Sequence, residues 1–375
     1  MPAELSFLRL PATQKGFSRL YQRQIARVIT RSQFILGEQV WRFEAEFAGF
    51  CNARFAIGVG SGTQALEIAL RLSGIQPGRG QEVITTPLTA PFTAHAIVAA
   101  GARPVFADVD PETLLLDPAA TRRRISRRTA AILPVHLYGE SCDLDALRLL
   151  AKATGCALIQ DAAQAHGTEW NGHPLAHFSD WVAFSFYPTK NLGCLGDGGA
   201  LVTNRKDLAE KARRFRDGGR AQGHVAQTSG INSRLDELQA AILRIHLQRL
   251  KSWNRARARL ANLYDRLLAE NAPGKVRRPL ALPPSRGCHH LYVIRTRHRH
   301  ALRGYLSKRG IATAIHYEMP LHLHPAFRWL GYRKGDFPAA ERAAREVCSL
   351  PLHPFLRTSE VRRVADEMGR FFDQL

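Results

Sequence analysis

Short apolar runs, each bounded by glycine, proline or polar clusters, recur between Phe55 and Thr203. They are Val83–Thr86, Val105–Val109, Ala131–Val135, Ala157–Gln160 and Val182–Phe184, and their length and composition predict buried strands. Between them lie stretches with apolar positions at helical spacing, such as Thr93–Ala100 and Leu144–Ala153. Strands that alternate with helices predict a mainly parallel sheet covered on both faces. Gly199–Thr203 follows the preceding strand too closely for a helical crossover, so it is expected to join the sheet antiparallel. Upstream, residues 1–30 read as a helical arm carrying Leu20, Ile25 and Val28, followed by a helix over Val40–Phe50. Downstream come Lys206–Phe215, a polar glycine-rich loop over Asp217–Gly230, and a long helical pattern from Leu235 to Leu268. The proline and arginine stretch Arg277–Pro284 ends that pattern. A smaller unit is expected to follow: strand His290–Thr296, helix Ala301–Arg309, strand Ala312–His316, and helices Ala339–Cys348 and Ser359–Phe372. The expected organisation is an arm at 1–30, a large domain at 31–250 and a small domain at 251–375.

A length of 375 residues suits two such domains, and a hydrophobic content of 45% is ordinary for a folded globular chain. No apolar run approaches the ~20 residues that span a bilayer. The first residues lack the basic region and long apolar stretch of a secretory signal, so a cytoplasmic location is expected. The six cysteines show no paired metal spacing and read as reduced thiols. The formal charge of +21, from 53 Lys and Arg against 32 Asp and Glu, changes the picture more. Such an excess attracts polyanions. The basic residues are nevertheless spread over helix and loop faces without interleaved aromatics or a nucleic-acid-binding motif, so no specific nucleic-acid partner is expected. A small ligand carrying a diphosphate would be drawn to the same field.

Candidate chemistry begins where the run Val182–Phe184 gives way to Ser185-Phe186-Tyr187-Pro188-Thr189-Lys190-Asn191-Leu192-Gly193. A sheet that delivers a lysine to a cleft favours its neutral amine, because burial disfavours the ammonium form, and a neutral amine attacks aldehydes. One strand earlier, Ala157–Gln160 ends on Asp161, with Gln164 three residues on. Ligands of open α/β sheets gather at the carboxyl ends of strands, so Asp161 and Lys190 would meet one ligand from neighbouring edges. Pyridoxal phosphate needs both a lysine for its aldehyde and an acid for its ring nitrogen. The turn Gly58-Val59-Gly60-Ser61-Gly62-Thr63 opens an amphipathic helix whose first-turn amides could hold a phosphate, with Thr63 and Ser185 adding hydroxyls.

These residues resemble the DegT/DnrJ/EryC1/StrS family of pyridoxal-phosphate-dependent aminotransferases, which act mostly on keto sugars. The similarity also covers Phe34–Val40, Pro104–Val109, Pro134–Gly139, Gly230–Ala241, His316-Tyr317 and Pro320-Leu321-His322. It implies an aspartate-aminotransferase-like (type I) fold: an α/β large domain with a mainly parallel seven-stranded sheet, and a smaller C-terminal α/β domain. It further implies that Lys190 bonds the cofactor aldehyde and then moves the substrate proton, that Asp161 holds the pyridine nitrogen, and that Gln164 contacts the cofactor ring or its phenolic oxygen. Ser185, Gly62 and Thr63 match its phosphate cradle. Asn232 matches an asparagine that reaches the neighbouring subunit's phosphate, which implies a homodimer with shared active sites. The implied reaction moves an amino group from an amino acid, L-glutamate by resemblance, to a keto sugar carried on a nucleotide. Tyr317 and His322 are expected toward the substrate.

Two departures stand out. Where many relatives have an aromatic that stacks on the cofactor, Pro87-Leu88-Thr89-Ala90-Pro91-Phe92 has alanine, leaving Phe92 either to supply the ring or to pack in the core. Tyr317-Glu318-Met319-Pro320 also lacks a proline directly after the tyrosine. Alternatives within the resemblance are a cyclitol aminotransferase of the scyllo-inosose type, a sugar dehydratase and a DegT-like regulator. Dehydratase relatives replace the lysine by histidine, so Lys190 argues against that one. His316, His322 and His324 lack the carboxylate or cysteine that would complete a metal site, and His166 is expected to serve a structural hydrogen bond.

Overall fold

The computed structural model describes residues 4–11, 16–221 and 223–375. Residues 1–3 and 12–15 of the expected arm, and residue 222 of the glycine-rich loop, lie outside the described residues. Among the described residues, twelve strands follow in chain order: β1 Phe55–Val59, β2 Glu82–Thr85, β3 Arg103–Phe106, β4 Thr129–Ile132, β5 Ala157–Asp161, β6 Glu169–Trp170, β7 His173–Pro174, β8 Trp181–Ser185, β9 Gly199–Thr203, β10 Ser285–Arg286, β11 Tyr292–Arg295 and β12 Val347–Leu350. Seven of them form the expected sheet in the order β1-β9-β8-β5-β4-β2-β3. Pairings from β3 through β8 are parallel, whereas β9 runs antiparallel to both β1 and β8, as the short connection requires.

Both faces of this sheet are buried. On one, the helix Gly62–Leu72 presents Ala65, Leu66, Ile68 and Ala69 to Ile57, Ile159, Ala183 and Leu201. On the other, the helix Glu38–Phe50 brings Phe43 and Phe47 edge-on to β8 and the residue after it. Phe47 meets Phe184 at 5.2 Å and 88°, and Phe43 meets Phe186 at 5.2 Å and 83°. These are favourable quadrupolar contacts at the point where the strand releases the Lys190 loop. The N-terminus of that helix has no cap of its own at Gly37. Glu237, buried and distant in sequence, supplies it by accepting from the Gln39 and Val40 amides at 2.9 and 2.7 Å.

The long helix is Glu237–Asn271, 35 residues. It carries Leu260, Tyr264, Leu267 and Leu268 to a second core under β11 and β12, shared with the helices Arg299–Lys308 and Thr358–Phe372. Two expectations fail in this part of the chain. The helix Pro338–Glu346 stops before Val347 and Cys348, because Val347–Leu350 pairs along the whole of β11 in a two-stranded antiparallel sheet. Ala312–His316 forms no strand but a single bridge from Ala314 to Ser349, on the edge of β12 that β11 leaves free. Among the described residues no helix is long and apolar enough to cross a membrane, and all six thiols are free.

Truncating the aromatic wedge behind β8 leaves a large cavity at a fully buried position. Phe47→Ala is expected to lose about 3–5 kcal/mol of unfolding free energy in chemical denaturation, and an unchanged midpoint would show that the wedge bears no load.

Candidate active site

The carboxyl ends of β5 and β8 open on a cavity of about 660 Å³. The register that pairs Asp161 with Ala183 and Ser185 with Gly199 places the acid and the serine on adjacent strand ends. Lys190 lies five residues beyond Ser185, in a turn closed by its own amide bonding the Tyr187 carbonyl at 2.9 Å. Gly62, Thr63, Phe92, Asp161, Gln164, Ser185, Lys190 and Tyr317 all line the cavity.

Asp161 is 5% exposed. One of its oxygens accepts from Thr93 Oγ1 at 2.8 Å and the other from the Ala163 amide at 3.1 Å. A carboxylate has about four acceptor sites, so capacity remains for one more donor. Burial raises its pKa, and the Ala163 amide, the Thr93 hydroxyl and Lys190 oppose that rise. Burial pushes Lys190 the other way, down to about 8, with Asp161 resisting. A cationic ring N–H brought to Asp161 would favour its ionised form, which is the partner a pyridine nitrogen requires.

At the opposite end, Ser61 caps the helix Gly62–Leu72 by accepting from the Gln64 amide at 3.2 Å. The Gly62 and Thr63 amides, in the first turn, have no intrahelical acceptor. Packing there is tight. A Cβ on Gly62 would lie 2.7 Å from the Ser185 Cβ, and one on Gly199 would lie 2.4 Å from the Ser61 carbonyl carbon. Two free amides, the Ser185 and Thr63 hydroxyls and a backbone surface kept bare of side chains fit a phosphate. The donor set therefore fits pyridoxal phosphate from ring nitrogen to phosphate.

Several expected residues sit differently. Gln164 lines the cavity, but its polar atoms are used by protein: Oε1 accepts from the Tyr138 amide at 2.7 Å and Nε2 donates to Tyr317 Oη at 3.0 Å. It therefore fixes Tyr317. Phe92 is 62% exposed at the cavity rim, which removes the core-packing alternative. His322 is not brought to the cavity: it is 1% exposed, bonds Glu341 at 3.1 Å and packs on Phe337. That correction follows from the short helical turn Leu321–Leu323, which turns the ring into the core. Asn232 is exposed and does not line this chain's cavity, and its neighbour Ser233 accepts from the Gly60 amide at 3.1 Å. His166 is buried with its ring between Phe184 and Phe186, and the Ser185 backbone is the polar group it faces.

The sequence reading missed Thr93, which holds Asp161, and Asn191 and His290, which back Lys190. Thr93 was visible only as the start of a helix. The other two come together from residues 99 apart in sequence. Their meeting left no local signal.

The profile of the DegT/DnrJ/EryC1/StrS aminotransferase family matches residues 18–369. The chain belongs to this family. It is accordingly a pyridoxal-phosphate-dependent aminotransferase. A dTDP-3-amino-3,4,6-trideoxy-alpha-D-glucose transaminase of Streptomyces venezuelae is 43% identical over 369 residues, 98% of this chain and 96% of that protein. A pleiotropic regulatory protein of Geobacillus stearothermophilus is 42% identical over 350 residues, 93% of this chain and 94% of that one. The solved structure of S. venezuelae DesV in complex with ketimine intermediate superposes with a TM-score of 0.95 at 42% identity, covering 99% of each chain. The aspartate-aminotransferase-like expectation and the mainly parallel seven-stranded sheet agree with this likeness.

Two outcomes test the site. Gly62→Ala should weaken cofactor binding at least ~10-fold in an equilibrium titration of the cofactor-free protein, since the added methyl must displace Ser185. Capture of the cofactor aldehyde needs the neutral amine, and the amine fraction rises through the Lys190 pKa of about 8. The capture rate should therefore climb from neutral pH and level off above pH ~9. A rate that is flat across that range would contradict the lowered pKa.

Proposed function

We propose that this family member transfers an amino group from L-glutamate to a keto sugar carried on a nucleotide, as a cytoplasmic homodimer. The observation that carries this reading is the opening of Lys190 and Asp161 onto one cavity whose far end is the bare turn at Gly62. Pyridoxal phosphate, when bound, supplies the electron sink that acidifies the substrate's carbon-bound proton. Lys190 would hold the cofactor through its aldehyde and, as the free amine, would take the proton from and return it to the substrate carbon. Its pKa of about 8 suits it to both roles near neutral pH. Asp161 keeps the ring nitrogen cationic. Gly62, Thr63 and Ser185 fix the phosphate, and Tyr317, held by Gln164, bounds the substrate side.

Nucleotide-linked sugars are favoured over free ones by two observations. A relative 43% identical bears the name of a dTDP-sugar transaminase, and the +21 charge attracts a diphosphate. Asn232, exposed here beside the Ser233 that bonds the Gly60 amide, is in this reading the residue that completes the cavity of a second copy. The regulatory name of the Geobacillus relative makes catalysis itself worth testing.

Purified protein treated with glutamate should shift its cofactor absorbance to the aminated form and then aminate a dTDP- or UDP-linked keto sugar. Success on a keto-inositol alone would move the assignment to cyclitols. Lys190→Ala should lose both the absorbance of covalently held cofactor and at least ~10³-fold in turnover, the scale of a positioned acid or base. Persistent transamination in that variant would remove the mechanism.

A further inference from the structure

Two side-chain amides and a histidine form a hydrogen-bonded relay behind Lys190, and its geometry places a proton. Asn191, next to Lys190 in the chain, directs Nδ2 at two acceptors: Asn254 Oδ1 at 3.0 Å and the Cys288 carbonyl at 3.0 Å. Asn254 is oriented in its turn, because its own Nδ2 donates to the His166 carbonyl at 2.7 Å. The atom of Asn191 left for His290 is therefore Oδ1, which lies 3.1 Å from Nδ1. An amide oxygen only accepts, so Nδ1 carries the ring proton and Nε2 holds a lone pair.

That lone pair has somewhere to go. Among the described residues no group bonds Nε2 of His290, and unlike Nδ1 of His322 that nitrogen is not sealed. His290 is 6% exposed overall, and the space it touches is the cavity. Burial, with the Lys190 and Arg257 cations nearby, holds the ring well below its ordinary pKa and hence neutral. The wall beside Lys190 thus presents an acceptor and no positive charge at this point. A ligand must bring it an O–H or N–H.

We propose that His290 is a specificity-determining residue whose Nε2 accepts a hydrogen bond from a hydroxyl on the carbon next to the carbonyl being aminated. This rests on the keto-sugar reading of the acceptor. The reacting carbon must come to Lys190, and the neighbouring carbon of a sugar ring then meets the adjoining wall. A hydroxylated ring satisfies Nε2, whereas a deoxy analogue leaves a buried acceptor without a partner, and a carboxylate offers it no proton.

The test uses the holoenzyme. Imidazole ¹⁵N NMR should show His290 neutral at neutral pH with its proton on Nδ1; a proton on Nε2, or a charged ring, overturns the inference without any variant. In kinetics, wild type should prefer a keto sugar over the analogue lacking the adjacent hydroxyl by about tenfold in kcat/KM, one good hydrogen bond. His290→Phe should bring that ratio close to one through KM, and a ratio that stays at the wild-type value overturns the assignment. If glutamate converts the bound cofactor but no keto sugar is aminated, the acceptor reading fails and this inference fails with it. Conversion of both sugars by wild type at equal efficiency removes the inference alone.

Discussion

An acid and an amine share one partly closed cavity, and burial acts on them in opposite directions, raising Asp161 and lowering Lys190. Each opposes the shift that burial imposes on the other. The balance depends on where the strands end. Asp161 closes β5 and Ser185 closes β8, and parallel pairing sets those ends side by side, while the lysine follows only after the turn that begins at Tyr187.

Around that pair the protein uses hydrogen bonds more than charge. Thr93 and the Ala163 amide hold the acid, and Asn191 turns away from the cavity to hold His290. Gln164 ties the Tyr138 amide to Tyr317, and Tyr138 in turn donates its hydroxyl to the His316 carbonyl. His316 is braced from outside by Phe7, whose ring lies 5.9 Å away and nearly parallel. Burial holds His316 and His166 at about 4 and about 3, so the histidines beside Lys190 add no competing cations at neutral pH.

Much of this was legible in the chain. The alternation of apolar runs and helical stretches specified the sheet and even the antiparallel entry of Gly199–Thr203, because period and loop length are local properties. Lys190, Asp161 and the Gly62 turn were legible for the same reason: each sits at a strand end or helix start marked by its own neighbours. Tertiary choices were not. Val347 and Cys348 read as the end of a helix until β11 is seen to need a partner, and His322 read as a substrate contact until its ring is seen turned onto Glu341. The meeting of Asn191 with His290 across 99 positions depends on how two distant loops dock, which no window of sequence contains.

The helix Glu237–Asn271 touches nearly every part of this arrangement. Glu237 at its first turn steadies the helix behind β8. Further along, His246 joins Tyr21 at 2.5 Å to the Gly193 carbonyl at 2.6 Å, and midway Asn254 reaches the residue beside the lysine. Its last turns carry the core beneath β11 and β12. At 1.5 Å per residue its 35 residues make a rod of about 53 Å, so a one-degree pivot at Glu237 swings the distal end by about 0.9 Å. Asn254, midway along the rod and bonded to the residue beside the reactive amine, moves about half as far in the same pivot.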